Sequence, residues 1–86
     1  MFKKIIMFIR NDYRIKTEQE LKDCLILKRL ENNITLKDFA EKLGVTYPTL
    51  KTKLASPHNF DITEMVKVST ILNTEITDIL LTSKNL

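Results

Sequence analysis

The sequence predicts a small all-α domain of five helices, preceded by a short N-terminal arm. With one Gly and two Pro among 86 residues, the chain has too few breakers for a turn-rich sheet. The length allows one domain, and a hydrophobic content of 43% is ordinary for a globular protein. Residues that favour helix starts also recur along the chain, each followed by an apolar stripe.

Residues 1–16 form the predicted N-terminal arm. Residues 5–9 (IIMFI) are β-branched and aromatic, which favours a short strand over an amphipathic helix. The arm is also basic, because a single acid, Asp12, accompanies Lys3, Lys4, Arg10, Arg14 and Lys16. Two interpretations stay open: an edge strand that pairs with another chain, or a flexible tail.

The first helix is predicted from about residue 18 to about residue 32. Thr17 and Glu20 have the spacing of a capping box, in which a hydroxyl and a carboxylate satisfy free backbone N–H groups. Asn32 and Asn33 tolerate the left-handed turn that ends a helix. Thr35 starts the second helix in the same way, and Gly44 ends it after about two turns.

The third helix is predicted at about residues 46–55, with Thr46 or Tyr47 as its cap and Leu50 and Leu54 pointing inward. Pro48 is compatible only with the first turn of this helix. Residues 56–59 form a loop. A fourth helix opens at Asp61 or Thr63 and closes at Asn73, and a fifth lies near residues 76–81. The inner side of the fourth helix is expected to carry Ile62, Met65, Val66, Ser69 and Leu72.

Residues 35–54 carry the functional information. They have the pattern of a short helix, a tight turn and a second short helix. Such a unit needs a small residue where the helices cross (Ala40), a glycine in the turn (Gly44), an apolar residue behind the turn (Val45) and a buried residue on the second helix (Leu50). A helix held in this way fits the major groove of B-DNA. No acidic residue occurs between Glu41 and Asp61, as expected for a surface that faces phosphates.

Residues 21–81 resemble the Cro- and lambda-repressor-type helix-turn-helix family, also called the Xre family. The matching residues are Lys28, Arg29, Ile34, Thr35, the stretch 39–46 (FAEKLGVT), Thr49, Leu50, the stretch 65–68 (MVKV), Leu72 and Asn73. The resemblance implies a five-helix lambda-repressor-like domain at residues 17–81, with residues 82–86 as a C-terminal tail. It also implies binding to operator DNA as a homodimer.

Three positions depart from the family pattern. Leu36 replaces a glutamine that touches phosphate in many members. Residues 56–59 replace a glycine that follows the third helix, which is the recognition helix of the family. Leu54 replaces a glutamate that pairs with the first-helix arginine, so Arg29 loses that partner. Arg29 then either finds a carboxylate such as Asp38 or faces the DNA backbone.

The resemblance places the DNA contacts on the third helix and the loop after it. The base-reading positions fall on Tyr47, Pro48, Lys51 and Thr52. The expected phosphate contacts are Thr46, Lys53, Ser56, His58 and Asn59. Phosphate contacts position a protein on DNA, and base contacts give it sequence preference.

The sequence therefore predicts a cytoplasmic, sequence-specific regulator of the repressor or Cro type, of phage or mobile-element origin, that binds double-stranded DNA at an inverted repeat. The alternative is an antitoxin-like module that binds a partner protein through residues 1–16 or 82–86. No catalytic, metal-binding or cofactor-binding residues are predicted. One histidine, His58, and one cysteine, Cys24, are too few for a metal set or a nucleophile–base pair. No stretch is long enough to span a membrane.

Overall fold

A computed structural model describes residues 13–83, and the predicted strand at residues 5–9 lies outside them. The described residues form five helices and two short strands, which confirms the predicted fold class. In chain order these are β1 (Tyr13–Ile15), α1 (Glu18–Glu31), α2 (Leu36–Leu43), α3 (Tyr47–Ala55), α4 (Ile62–Ile71), α5 (Ile76–Leu80) and β2 (Leu81–Ser83). None of the helices in this part of the chain is long and apolar enough to cross a membrane.

Four of the five described helices begin at a residue whose side chain caps the helix, and α5 begins without such a cap. The Thr17 hydroxyl accepts from the Glu20 N–H at 3.3 Å, and the Glu20 carboxylate accepts from the Thr17 N–H at 2.9 Å. Thr35 caps α2, and Thr46 rather than Tyr47 caps α3. For α4 the cap is Asp61 rather than Thr63, and it forms a second capping box. Each cap satisfies backbone donors that the first helical turn leaves unpaired.

Left-handed residues follow three of the helices. Gly44 has φ 82°, and Asn33 and Asn73 have φ 54° and 52°. The Gly44 and Val45 N–H groups both donate to the Ala40 carbonyl, at 2.9 and 3.1 Å. Because both bonds use a carbonyl group in the last turn of α2, the chain turns sharply before α3 begins.

The core lies where the five helices meet. Its fully buried centre is made of large apolar side chains, with Ala40 at the crossing of α2 and α3. The buried hydrophobic residues are Leu21, Leu25, Ile34, Phe39, Ala40, Leu43, Leu50, Phe60, Met65, Val68, Leu72 and Ile79. Val45 and Leu54 pack against this cluster from its margin, as predicted.

The predicted inner side of α4 is wrong at two positions. Ile62 is 72% exposed and Val66 is 48% exposed, whereas Val68, which the pattern did not assign, is completely buried. The helix carries apolar residues around much of its circumference, so spacing alone does not choose its inner face. Packing against α2 and α5 turns Met65, Val68 and Leu72 to the core instead.

The last residues of the predicted arm pair with the end of the domain. In an antiparallel pair, Tyr13 lies opposite Ser83 and Ile15 opposite Leu81, so this segment finds its strand partner within the chain. The Lys16 ammonium donates to the Asp78 carbonyl, and also to that of Leu81 at 3.0 Å. A cation here satisfies free carbonyl groups at the end of α5.

Candidate nucleic-acid interface

The α2–turn–α3 unit holds α3 at the surface of the domain. Leu50 is completely buried and anchors the inner side of α3, next to Phe39 and Ala40 of α2 in the same core cluster. The Thr46 hydroxyl accepts from the Thr49 N–H at 3.3 Å and thereby caps the helix. Because one side of α3 is fixed by buried contacts, its other side is presented to solvent.

The four predicted base-reading residues share that outward side, which we call the recognition face (Tyr47, Pro48, Lys51 and Thr52). All four are exposed, and Tyr47 remains 46% accessible despite its size. The Lys51 ammonium lies 5.6 Å from the centroid of the Tyr47 ring, within the range of a cation–π contact. The Thr52 hydroxyl donates to the Pro48 carbonyl at 3.1 Å and keeps acceptor capacity toward solvent.

A shallow cleft joins the recognition face to the loop after α3. It is lined by Pro48, Thr49, Thr52, Lys53 and Asn59, so predicted base-reading and phosphate-contacting residues meet there. Thr49 is exposed and was not among the predicted site residues. Its spacing of three residues from both Thr46 and Thr52 was the available signal, because residues three apart lie on the same face of a helix.

Lys53 is held by α4 rather than directed freely to solvent. Its ammonium lies 3.0 Å from both carboxylate oxygens of Glu64, and 5.7 Å from the centroid of the Phe60 ring. Glu64 also accepts from the Asp61 N–H at 3.1 Å as part of the α4 capping box. One carboxylate therefore ties the end of α3 to the start of α4.

The other predicted phosphate contacts lie at the two ends of α3. Thr46 is exposed at its start, and His58 and Asn59 are exposed in a short 3₁₀ turn (Pro57–Asn59) after its end. Ser56 is half-buried between the two, and Pro57 is buried beneath the turn. Polar groups therefore flank the recognition face on both sides.

Arg29 has a partner that was not among those considered from the sequence. Its Nη1 donates to the Ile34 carbonyl at 3.1 Å, where α1 leads into α2. No ion pair with Asp38 forms in the described part of the chain. The arginine instead stabilises the connection between these helices.

The geometry defines a small helix-turn-helix DNA-binding protein: a short α2, a glycine turn and an α3 whose outward face is polar, basic and free of acidic side chains. A comparison with protein families agrees, since the model of the Cro/C1-type HTH DNA-binding domain matches residues 27–84. The match covers more than half of the chain, and the protein belongs to this family. No curated protein and no solved structure gives a significant match.

Proposed function

We propose that this protein is a sequence-specific regulator of transcription of the repressor or Cro type, with α3 inserted in the major groove of its operator. The observation that carries the proposal is the recognition face, where Tyr47, Pro48, Lys51 and Thr52 are all exposed on a helix anchored by buried Leu50. The major groove of B-DNA is wide enough for such a helix, and each base pair shows a distinct hydrogen-bonding pattern there.

Lys51 and Thr52 are the proposed readers of base edges. A lysine ammonium donates to guanine O6 and N7, and a threonine offers a hydroxyl and a methyl group that suits thymine. Pro48 supplies apolar contact only, because it has no N–H and no polar side-chain atom. Tyr47 is long enough to reach either a base or a phosphate. One good bidentate contact discriminates by about 1–3 kcal/mol, so two or three of these contacts produce a preference.

Thr46, Ser56, His58 and Asn59 are the proposed phosphate contacts, since they flank the recognition face at both ends. Lys53 belongs to this set under one condition. Because its ammonium is bound to Glu64, it reaches a phosphate only by giving up that ion pair. The other four residues can contact the DNA backbone without the loss of an ion pair, and Lys53 cannot.

We propose further that the protein acts in the cytoplasm as a homodimer on an inverted repeat. Helix-turn-helix dimers place two recognition helices about one turn of DNA apart, so the symmetry of the operator follows the symmetry of the protein. A domain of this size also has a small core, which favours stabilisation by a second subunit. Sedimentation should show a dimer on DNA, and a monomer both free and bound would contradict this part.

The test of the proposal compares Lys51→Ala with Lys67→Ala on a preferred duplex and on scrambled duplexes. Lys67 is an exposed residue of α4, so both variants lose the same charge, but only Lys51 belongs to the recognition face. Lys51→Ala should narrow the difference in affinity between the preferred and scrambled duplexes by about 1–3 kcal/mol. Lys67→Ala should leave that difference unchanged. Equal loss on all duplexes from Lys51→Ala would remove Lys51 from base reading.

A further inference from the structure

An apolar groove opens on the surface between α1, α2 and α3, and it shares Lys51 with the recognition face. It has a volume of about 350 Å³ and is lined by Lys22, Leu25, Ile26, Arg29, Leu36, Phe39, Lys51, Leu54 and Ala55. Leu25 and Phe39 belong to the buried core, whereas Ile26 is half exposed. The volume falls within the range of small-molecule sites, about 300–1,000 Å³.

The polar residues of this α1–α3 groove are all cations. Lys22, Arg29 and Lys51 contribute three positive charges, and none of the described residues lining the groove is acidic. Arg29 uses Nη1 for the Ile34 carbonyl, which leaves other N–H groups of its guanidinium available. A groove with an apolar lining and only positive charges complements a ligand with an apolar body and an anionic group.

We propose that the α1–α3 groove binds a small carboxylic acid with an aliphatic or aromatic body. The body lies against Leu25, Phe39 and Leu54, and the carboxylate accepts from Lys22 and Arg29. The charge of the groove argues against the chain's own apolar N-terminal segment as its occupant. Residues 1–10 carry Lys3, Lys4 and Arg10 and no acid, so like charges would meet at the groove.

Lys51 couples this groove to the recognition face. It lines the groove, and its ammonium also lies 5.6 Å from the ring centroid of Tyr47. A bound carboxylate attracts that ammonium away from the bases and adds negative charge beside the DNA. The ligand should therefore weaken DNA binding, a consequence that rests on the proposed function. DNA should weaken ligand binding by the same factor, because coupling between two sites is reciprocal.

The test of the site uses the full chain without DNA, so its result does not depend on the proposed function. The chain is titrated with sodium decanoate below its micelle concentration and followed by methyl NMR. The uncharged 1-decanol and the cationic decyltrimethylammonium serve as matched probes. Saturable shifts at Ile26 and Leu54, with decanoate bound about tenfold or more tightly than decanol, are expected. Equal binding of decanoate and decanol, or shifts spread outside the groove, would overturn the proposal.

Two lysine variants test the charged part of the site. Lys22→Gln should weaken decanoate binding severalfold, whereas Lys67→Gln removes the same charge from the exposed side of α4 and should not. Equal effects of the two variants would contradict a direct contact with Lys22. In a separate titration, decanoate should release a bound duplex from the wild-type chain. If decanoate binds in the groove and the duplex stays bound, the site stands and the coupling through Lys51 is wrong. If no duplex binds at all, the proposed function fails instead.

Discussion

Replacing Glu64 with glutamine should weaken the fold and strengthen DNA binding at the same time. The reason is that the Lys53 ammonium forms an ion pair with Glu64, and we have proposed that the same ammonium contacts a phosphate on DNA. The introduced glutamine would keep an oxygen that accepts from the Asp61 N–H, so the cap of α4 is retained while the charge is removed. The substitution therefore isolates the ion pair.

The structure sets the size of both effects. The Lys53 and Glu64 side chains are 24% and 21% exposed, so their ion pair is screened less than a surface pair. Exposed pairs are worth about 0.2–1 kcal/mol, and we expect a coupling near the upper end, about 1 kcal/mol. In a domain of this size that loss lowers Tm by about 4–8 °C. On DNA, one additional phosphate contact makes the dependence of log affinity on log salt steeper by about 0.9.

A double-mutant cycle of Lys53→Met and Glu64→Gln in urea unfolding measures the coupling, and duplex titrations at several salt concentrations measure the DNA effect. Glu75→Gln is the matched control, because Glu75 is exposed and its side chain makes no capping hydrogen bond to α5. It removes the same charge without freeing Lys53. A coupling free energy of zero, or an equal gain in DNA affinity from both glutamine variants, would show that the ion pair with Glu64 does not hold Lys53 back from DNA.

Three further predictions concern the fold. Gly44→Ala should destabilise the protein by about 1–2 kcal/mol in urea unfolding, because φ is 82° there; the space around an added Cβ is open, so a steric clash is not the cause. Gly44→Asn should lower the free energy of unfolding by less than Gly44→Ala, and an equal loss would show that the positive φ is not the cause. Leu50→Ala should lower the free energy of unfolding by about 2–5 kcal/mol and reduce DNA affinity. Leu54 is partly buried, so Leu54→Ala should have the smaller effect on unfolding. The Arg14 guanidinium holds the pKa of Glu20 at about 2, against an ordinary value of 4.5. Because the folded pKa is the lower one, Glu20 stabilises the fold fully above about pH 4.5 and loses that effect as the pH falls toward 2. Unfolding curves of the wild type and Glu20→Gln should therefore differ most near neutral pH, and a constant difference down to pH 2 would contradict this origin.

The helix boundaries followed from the sequence because capping is local. Thr17 and Glu20, or Asp61 and Glu64, lie three residues apart and satisfy each other's backbone groups within one turn. Gly44 marked the turn for a similar reason, since a positive φ strongly favours glycine. The five helices, including the position of α3, could therefore be predicted without tertiary information.

The parts that sequence reasoning missed depend on contacts between distant residues. Tyr13 pairs with Ser83 across nearly the whole chain, and three-residue strands carry too little pattern to indicate that partner. Ile62 and Val66 are exposed because packing against neighbouring helices decides which face of α4 lies against the core.

In the interface, the ion pair between Lys53 and Glu64 joins α3 to α4 across a loop. Arg29 likewise bonds to a backbone carbonyl that no pattern singles out. The family resemblance predicts a phosphate contact for Lys53, but only the packed structure shows which partners Lys53 and Arg29 have.

The most direct test of sequence-specific regulation is selection from a random duplex pool, with the winning sequence titrated at several salt concentrations. We expect an enriched inverted repeat, bound with a steep salt dependence and about 10³-fold or more above random DNA. A pool without enrichment, together with weak or absent binding to any duplex, would contradict a sequence-specific regulator. Purification with a second protein would then favour the antitoxin-like alternative.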